Sequence, residues 1–326
     1  MSKRKIFIIV IAVLLAVVAI TQGTITAVHN YKIIKRNAIE FDIADTLSDG
    51  GGRKATVILL GGQSNASGCS LDEYLQKNTT PEKYAEYEAG YDNVYINFYA
   101  TGSNQSDGFV KCSVRQGEII EDFGVCFGPE LGLAEKLHEA YPDRTFFIIK
   151  CAWGNTALYD QWLSPWSKGP RGKHYRNFTT FVDASLKYLK SKNYDIEIAA
   201  MCWMQGECDA FVEENGIAYE ENLQDFIGSI RHRYRKYAAD GGIAFIDATI
   251  ANNPMFWVHP EIVNESKRKV ADSSHMNVLI DTNAEGLITA NEPEEKPDVP
   301  HYDSMSEIKL GHLFAEAVME FLACYP

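Results

Sequence analysis

No metal-binding spacing is present in these 326 residues: there is no C-x-x-C pair, no H-E-x-x-H, and the eight histidines are scattered. A dedicated zinc site is therefore not expected, and no cofactor is called for. Internal repeats and low-complexity tracts are also missing, which argues against a solenoid or a fibrous chain. Basic residues are scarce, at 31 Lys and Arg against 44 Asp and Glu, for a formal net charge of -13. Six of those basic residues and no acidic one fall in the first 36 positions, so the remainder is still more acidic. Such a surface repels a phosphate backbone, and nucleic acid is excluded as a partner. Cysteine is sparse and odd in number, seven in all, so at least one thiol has no intramolecular partner. Cys112 and Cys126 flank a loop-like stretch and could pair outside a cell, whereas Cys151 and Cys202 sit in apolar runs as small core residues.

What is there begins with a long hydrophobic run. Lys3, Arg4 and Lys5 precede unbroken apolar sequence from Ile6 to Ile20, and no charge appears before Ala27. That length just spans a bilayer core of about 30 Å. Small residues before a cut are poorly placed, so residues 1–27 read as an uncleaved single-pass anchor with the bulk of the chain outside; a cleaved signal segment, and hence a secreted protein, is the other reading. Residues 28–54 mix charge with "SDGGGRK" and read as a linker. They are not a phosphate loop, because the glycines precede the first strand and no Lys-Ser or Lys-Thr follows them.

From residue 55 to 326 the pattern is that of one α/β domain. Continuous apolar runs at 55–62, 93–100, 145–153, 196–204 and 242–250 suit strands covered on both faces. Amphipathic stretches near 129–141, 176–191 and 217–238 lie between them, and a last helix opens on the capping pattern Ser304-Met-Ser-Glu307 and runs to about Leu322. Strand and helix in alternation imply right-handed crossovers and a mostly parallel central sheet with helices on both faces. Ligands of such sheets bind beyond the carboxyl ends of the strands. The residues there are Gln63-Ser64-Asn65, Gly154-Asn155-Thr156 and Gln205-Gly206-Glu207-Cys208-Asp209.

A serine nucleophile needs a base, a group that orients the base, and donors for the oxyanion. Ser64 follows Gly61-Gly62, which permit a sharp turn, but Ala66 stands where a G-x-S-x-G elbow needs its last glycine. Asp298 and His301, three residues apart between Pro297 and the last helix, are the candidate acid and base. His259, His275 and His312 are rivals without an aspartate at that spacing.

The blocks "GGQSN" (61–65), "FGPELGLAEKL" (127–137), "CAWGNTAL" (151–158), "WMQGECDA" (203–210) and "DVPHYDSMSEIKLG" (298–311) together resemble the SGNH hydrolases. More narrowly, they resemble the sialate O-acetylesterase and acetylxylan esterase group, carbohydrate esterase family six. The resemblance implies a three-layer α/β/α sandwich of flavodoxin-like type. It implies Ser64 as nucleophile, His301 as general base and acid, and Asp298 as its orienting partner. The backbone N–H groups of Ser64 and Gly154 and the side-chain amide of Gln205 would form the oxyanion hole. Asn155 departs from the family, which often has a second glycine there. Gln63, Asn65, Asn155, Glu207 and Trp153 are expected to support the site or touch substrate.

The substrate so implied is an acetylated carbohydrate, cleaved through an acetyl-enzyme. An esterase for another acyl group and a catalytically silent carbohydrate-binding protein of the same fold are the alternatives. Glu207 and Asp209 invite a two-carboxylate glycosidase reading, but their amide-rich context suits a supporting role better. Trp153, Tyr159, Trp162 and Trp166 could stack on sugar rings or simply pack the core, and the basic run "KGPRGKHYR" (168–176) could meet a carboxylated sugar.

Overall fold

The structure, a computed structural model, describes residues 39–121, 123–253 and 256–324. The anchor expected at 1–27 lies outside them; among the described residues no helix is long and apolar enough to cross a membrane.

Among the described residues the five apolar runs become the parallel strands β1 (Lys54–Gly62), β2 (Val94–Ala100), β3 (Thr145–Ala152), β4 (Asp195–Met204) and β5 (Ala244–Ala248), and a sixth, β6 (Asn277–Ile280), joins them. Their order across the sheet is β6-β5-β4-β1-β3-β2, and short antiparallel pieces at Asn104–Gln105 and Val110–Lys111 pair with β2 at the edge. β1 is central, and from Ala55 to Leu60 its side chains are all buried, which is why its sequence lacks the alternation of a half-exposed strand.

Among the described residues eight α-helices accompany the sheet: α1 (Ser64–Ser67), α2 (Asp72–Asn78), α3 (Pro81–Ala89), α4 (Glu130–Ala140), α5 (Lys173–Ser191), α6 (Glu213–Tyr234), α7 (Pro260–Asp272) and α8 (Ser304–Cys324). α4 and α8 pack against each other over one face, with glycine at the crossing: a Cβ on Gly132 would lie 2.2 Å from the Ile308 carbonyl oxygen. α5, α6 and α7 cover the other face, where Tyr175 and Ser229 share a 2.6 Å hydrogen bond between α5 and α6. The result is an α/β/α sandwich.

β6 and α7 go beyond the elements the sequence pattern picks out. β6 has only four residues, three of them half-exposed, and α7 is rich in charge. The linker assignment needs correcting at its C-terminal end. Phe41–Pro326 is one compact unit, in which Phe41 packs on Tyr99 and Phe181 and the Thr46 and Leu47 N–H groups donate to Tyr188 Oη, both at 2.9 Å. Cys112 and Cys126 are not bridged: both are free and buried, and the Cys112 thiol donates to the Glu130 carbonyl.

Two buried charges knit the α4 layer to its surroundings. Lys150, inside β3, pairs with Glu130 at 2.6 Å with both side chains fully enclosed, and also donates to the Gln116 carbonyl at 3.0 Å. Glu135 on α4 meets Tyr87 Oη at 2.8 Å, His312 Nε2 at 2.7 Å and Lys83 Nζ at 2.5 Å. Burial alone would raise the Glu135 carboxyl, but hydrogen bonds from His312, Lys83 and Tyr87 hold it down at about 2, against an ordinary 4.5. Its stabilising contribution is therefore complete above pH 4.5 and lost as pH falls through about 2. Glu135→Gln is expected to cost on the order of 2 kcal/mol at neutral pH. Urea titrations across pH should show wild type and variant converging as the solution is acidified; a constant gap would refute this account.

Candidate active site

β1 ends on Gly61 and Gly62. At Gly62 φ is 140° and a Cβ would lie 1.9 Å from the Met204 carbonyl oxygen, so only glycine lets β1 run this close to β4 and then turn. The turn delivers Gln63 and starts α1, a single helical turn headed by Ser64. The first N–H groups of a helix have no intrahelical acceptor, so the Ser64 N–H is available to a ligand. Ser64 opens onto a cavity of about 470 Å³, which it lines together with Gln63, Gly154, Asn155, Glu207 and His301.

His301 comes from the segment between the sheet and α8. Its Nδ1 donates to Asp298 Oδ2 at 2.7 Å, which leaves Nε2 as the accepting nitrogen. Asn65, one residue past the serine, holds this segment at two points. Its amide donates to the Pro300 carbonyl at 3.3 Å, and its carbonyl accepts from the Tyr302 N–H at 3.2 Å. The same amide donates to Glu207 Oε1 at 2.8 Å. Ser70 Oγ adds a bond to the Tyr302 carbonyl at 2.8 Å. Burial pushes the Glu207 carboxyl up, toward its neutral form.

Gln205 is not where the resemblance puts it. It is fully buried, does not line the cavity, and spends its amide on Asp209 Oδ2 (2.7 Å), the Thr156 carbonyl (2.9 Å) and Gln63 Oε1 (3.2 Å). Two amide hydrogens shared among three acceptors leave none for an oxyanion. Gln63 is the glutamine at the cavity wall. Its Oε1 accepts from Gln205 Nε2 and, at 3.3 Å each, from the N–H groups of Gly206 and Cys208, which turns its own amide nitrogen toward Cys208 Sγ at 3.9 Å. The Gly154 N–H is likewise engaged, donating to Thr101 Oγ1 at 2.9 Å.

Asp209 lies outside the cavity lining and caps the loop after β3, accepting from the N–H groups of Leu158 (2.8 Å) and Tyr159 (2.9 Å). Burial pushes its carboxyl up to about 6, against those donors. Both carboxylates of the expected pair thus hold loops, and the glycosidase geometry does not arise. Trp153 is 7% exposed beneath the cavity, its ring near those of His174 (4.6 Å) and Tyr99 (5.1 Å), so it packs the core and does not line the cavity. Trp162 is buried too, while Tyr159 and Trp166 are exposed elsewhere. The aromatic wall of the cavity comes from Phe211, Phe256 and Trp257, which follow β4 and β5. The basic run 168–176 also stays out of the cavity: Lys168 pairs with Glu221 at 2.8 Å and Arg171 lies over the Tyr175 ring. His259, His275 and His312 do not line it, and among the described residues no cluster of His, Cys, Asp or Glu could hold a metal ion.

Glu118 is a site residue that the pattern of strand ends does not flag, and Thr101, directly after β2, lies at such an end but is not among the expected site residues. Thr101 Oγ1 donates to Glu118 Oε1 at 2.5 Å, and both line the cavity. Thr101 has φ 53°, uncommon for a β-branched residue and a mark of a constrained corner.

The family model described as carbohydrate esterase, sialic acid-specific acetylesterase, matches residues 54–320. Among solved structures, NanS aligns at 15% identity and TM-score 0.59, over 85% of this chain and 99% of that one. A protein from Arabidopsis thaliana aligns at 18% and 0.58, over 81% and 98%. A carbohydrate acetylesterase from Xanthomonas citri aligns at 17% and 0.50, over 81% of this chain and 56% of that longer one. At these identities the structures speak for the fold. No curated protein matches the sequence.

The Asn65 clamp has a measurable consequence. Asn65→Ala should lower stability by about 2 kcal/mol, since Glu207 and the 300–302 backbone lose their partner. Asn65→Asp, which turns an acceptor toward Glu207, should cost at least as much by urea titration; a milder aspartate would contradict the clamp.

Proposed function

The chain belongs to the sialic acid-specific acetylesterase family of carbohydrate esterases, and on that premise we propose that it removes O-acetyl groups from carbohydrate with Ser64 as nucleophile. Membership makes it a carboxylic ester hydrolase. The observation that carries the serine mechanism is the 2.7 Å Asp298–His301 hydrogen bond, made by a histidine that shares a cavity with Ser64.

In this reading Ser64 Oγ attacks the acetyl carbonyl while its proton passes to His301 Nε2, and Asp298 stabilises the imidazolium. The carbonyl oxygen becomes an oxyanion facing the Ser64 N–H. The Gln63 amide, oriented by the three donors on its own carbonyl, is the side-chain donor that fits best in place of Gln205. Gly154 contributes space: a Cβ there would lie 3.7 Å from Ser64 Cβ, where the acyl group must enter. His301 then returns the proton to the departing sugar oxygen. Water, deprotonated by His301, attacks the acetyl-enzyme; the bond to Ser64 Oγ breaks, His301 returns the proton to that oxygen, and acetate leaves. The apolar run behind Lys3, Arg4 and Lys5 supports an exported domain, held at the membrane by residues 1–27.

Acetate release from acetylated sugars should fall about 10⁴-fold or more in Ser64→Ala, and a similar drop is expected for Asp298→Asn, whose amide cannot hold the productive imidazole tautomer. Full activity in Ser64→Ala would sink the proposal.

A further inference from the structure

The cavity that Ser64 lines is also lined by the carboxylate of Glu118. A Cβ on Gly154 would sit 3.0 Å from Glu118 Oε1 and 3.7 Å from Ser64 Cβ, so the carboxylate oxygen and the Ser64 side chain border the same small space beside Gly154. The Glu118 backbone is pinned on both sides. Its N–H donates to the Gly68 carbonyl at 2.7 Å, its carbonyl accepts from the Cys126 N–H at 2.9 Å, and Gln116 just before it is held by Lys150. Thr101 bonds Oε1 at 2.5 Å, while Glu118 takes part in no ion pair among the described residues. The nearby Lys150 is committed to Glu130. No Lys or Arg among the described residues lines the cavity, and His301 is the one lining side chain that can become cationic.

Sugar hydroxyls donate to a carboxylate; a second carboxylate brought close to it in a partly enclosed site is repelled. Phe211 and Phe256, which also line the cavity, are 43% and 38% exposed with ring centroids 5.7 Å apart, and offer apolar surface of the kind a sugar ring packs against. We propose that Glu118 is a specificity-determining residue: it accepts a hydrogen bond from a hydroxyl of the acetylated sugar and rejects sugars that carry a carboxylate, so the substrate is an uncharged O-acetyl sugar. This rests on the esterase reading above and narrows it.

The test compares acetate release from an O-acetyl sialic acid and from its carboxyl methyl ester, the same sugar without the charge, with p-nitrophenyl acetate as a sugar-free control. Wild type should favour the methyl ester by at least about 10-fold in kcat/KM, and Glu118→Gln should bring the ratio to within about 3-fold of unity by raising turnover of the free acid. Glu118→Ala, without charge or acceptor, should also abolish the preference, with a higher KM for both sugars. The proposal is overturned if wild type cleaves the free acid as well as the ester, or if neither variant moves the ratio. If wild type releases acetate from none of the three compounds, the esterase reading itself falls and takes the proposal with it.

Discussion

The geometry of the site hangs on the side chain of Asn65. Ser64 and His301 lie 237 positions apart in sequence, yet the residue beside Ser64 grips the backbone on either side of His301 and is itself gripped by Glu207 just past the end of β4. Three chain segments thus meet at one amide, which uses both its donor and its acceptor ends. An amide suits this place because it can serve a carboxyl, a carbonyl and an N–H together, which neither a carboxylate nor a hydroxyl does. The cost is a buried carboxyl at Glu207, with one oxygen lacking a hydrogen-bond partner among the described residues.

Behind that amide stands a second tier. Asp209 fixes Gln205, Gln205 fixes Gln63, and the Tyr219 hydroxyl donates to Gln205 Oε1 at 2.9 Å. Each polar group is held by one deeper in the protein, so the cavity-facing Gln63 inherits its orientation from residues that substrate never meets.

Much of this was readable from the sequence. Buried parallel strands leave uninterrupted apolar runs, and among the polar residues at their carboxyl ends Ser64, Gly154, Glu207 and Cys208 line the cavity. What escaped was the division of labour between like residues. Gln63 and Gln205 both follow a strand, and only the hydrogen-bond network tells which faces the cavity. Tryptophans near a strand end look alike whether they pack a core, as Trp153 does, or could stack on a ligand. Glu118 left no mark because it sits in a loop of short antiparallel pieces, and a lone glutamate in a polar loop has no periodicity to betray it. Lys150 in the run "TFFIIKCAW" was hidden for the opposite reason: its partner Glu130 is on another element.

Strand order gives Glu118 a further meaning. Without β2, the remaining order β3-β1-β4-β5-β6 is that of a five-stranded flavodoxin-like sheet. β2 and the hairpins after it are an insertion between the first two strands of that core, and the insertion carries Thr101 and Glu118. Ser64, Asp298 and His301 belong to the core. On the proposed roles, reaction chemistry and choice of sugar are written in separable parts of the chain: the inserted loops could be exchanged among relatives and the diet of the enzyme altered while the proposed ester-cleaving residues stay untouched.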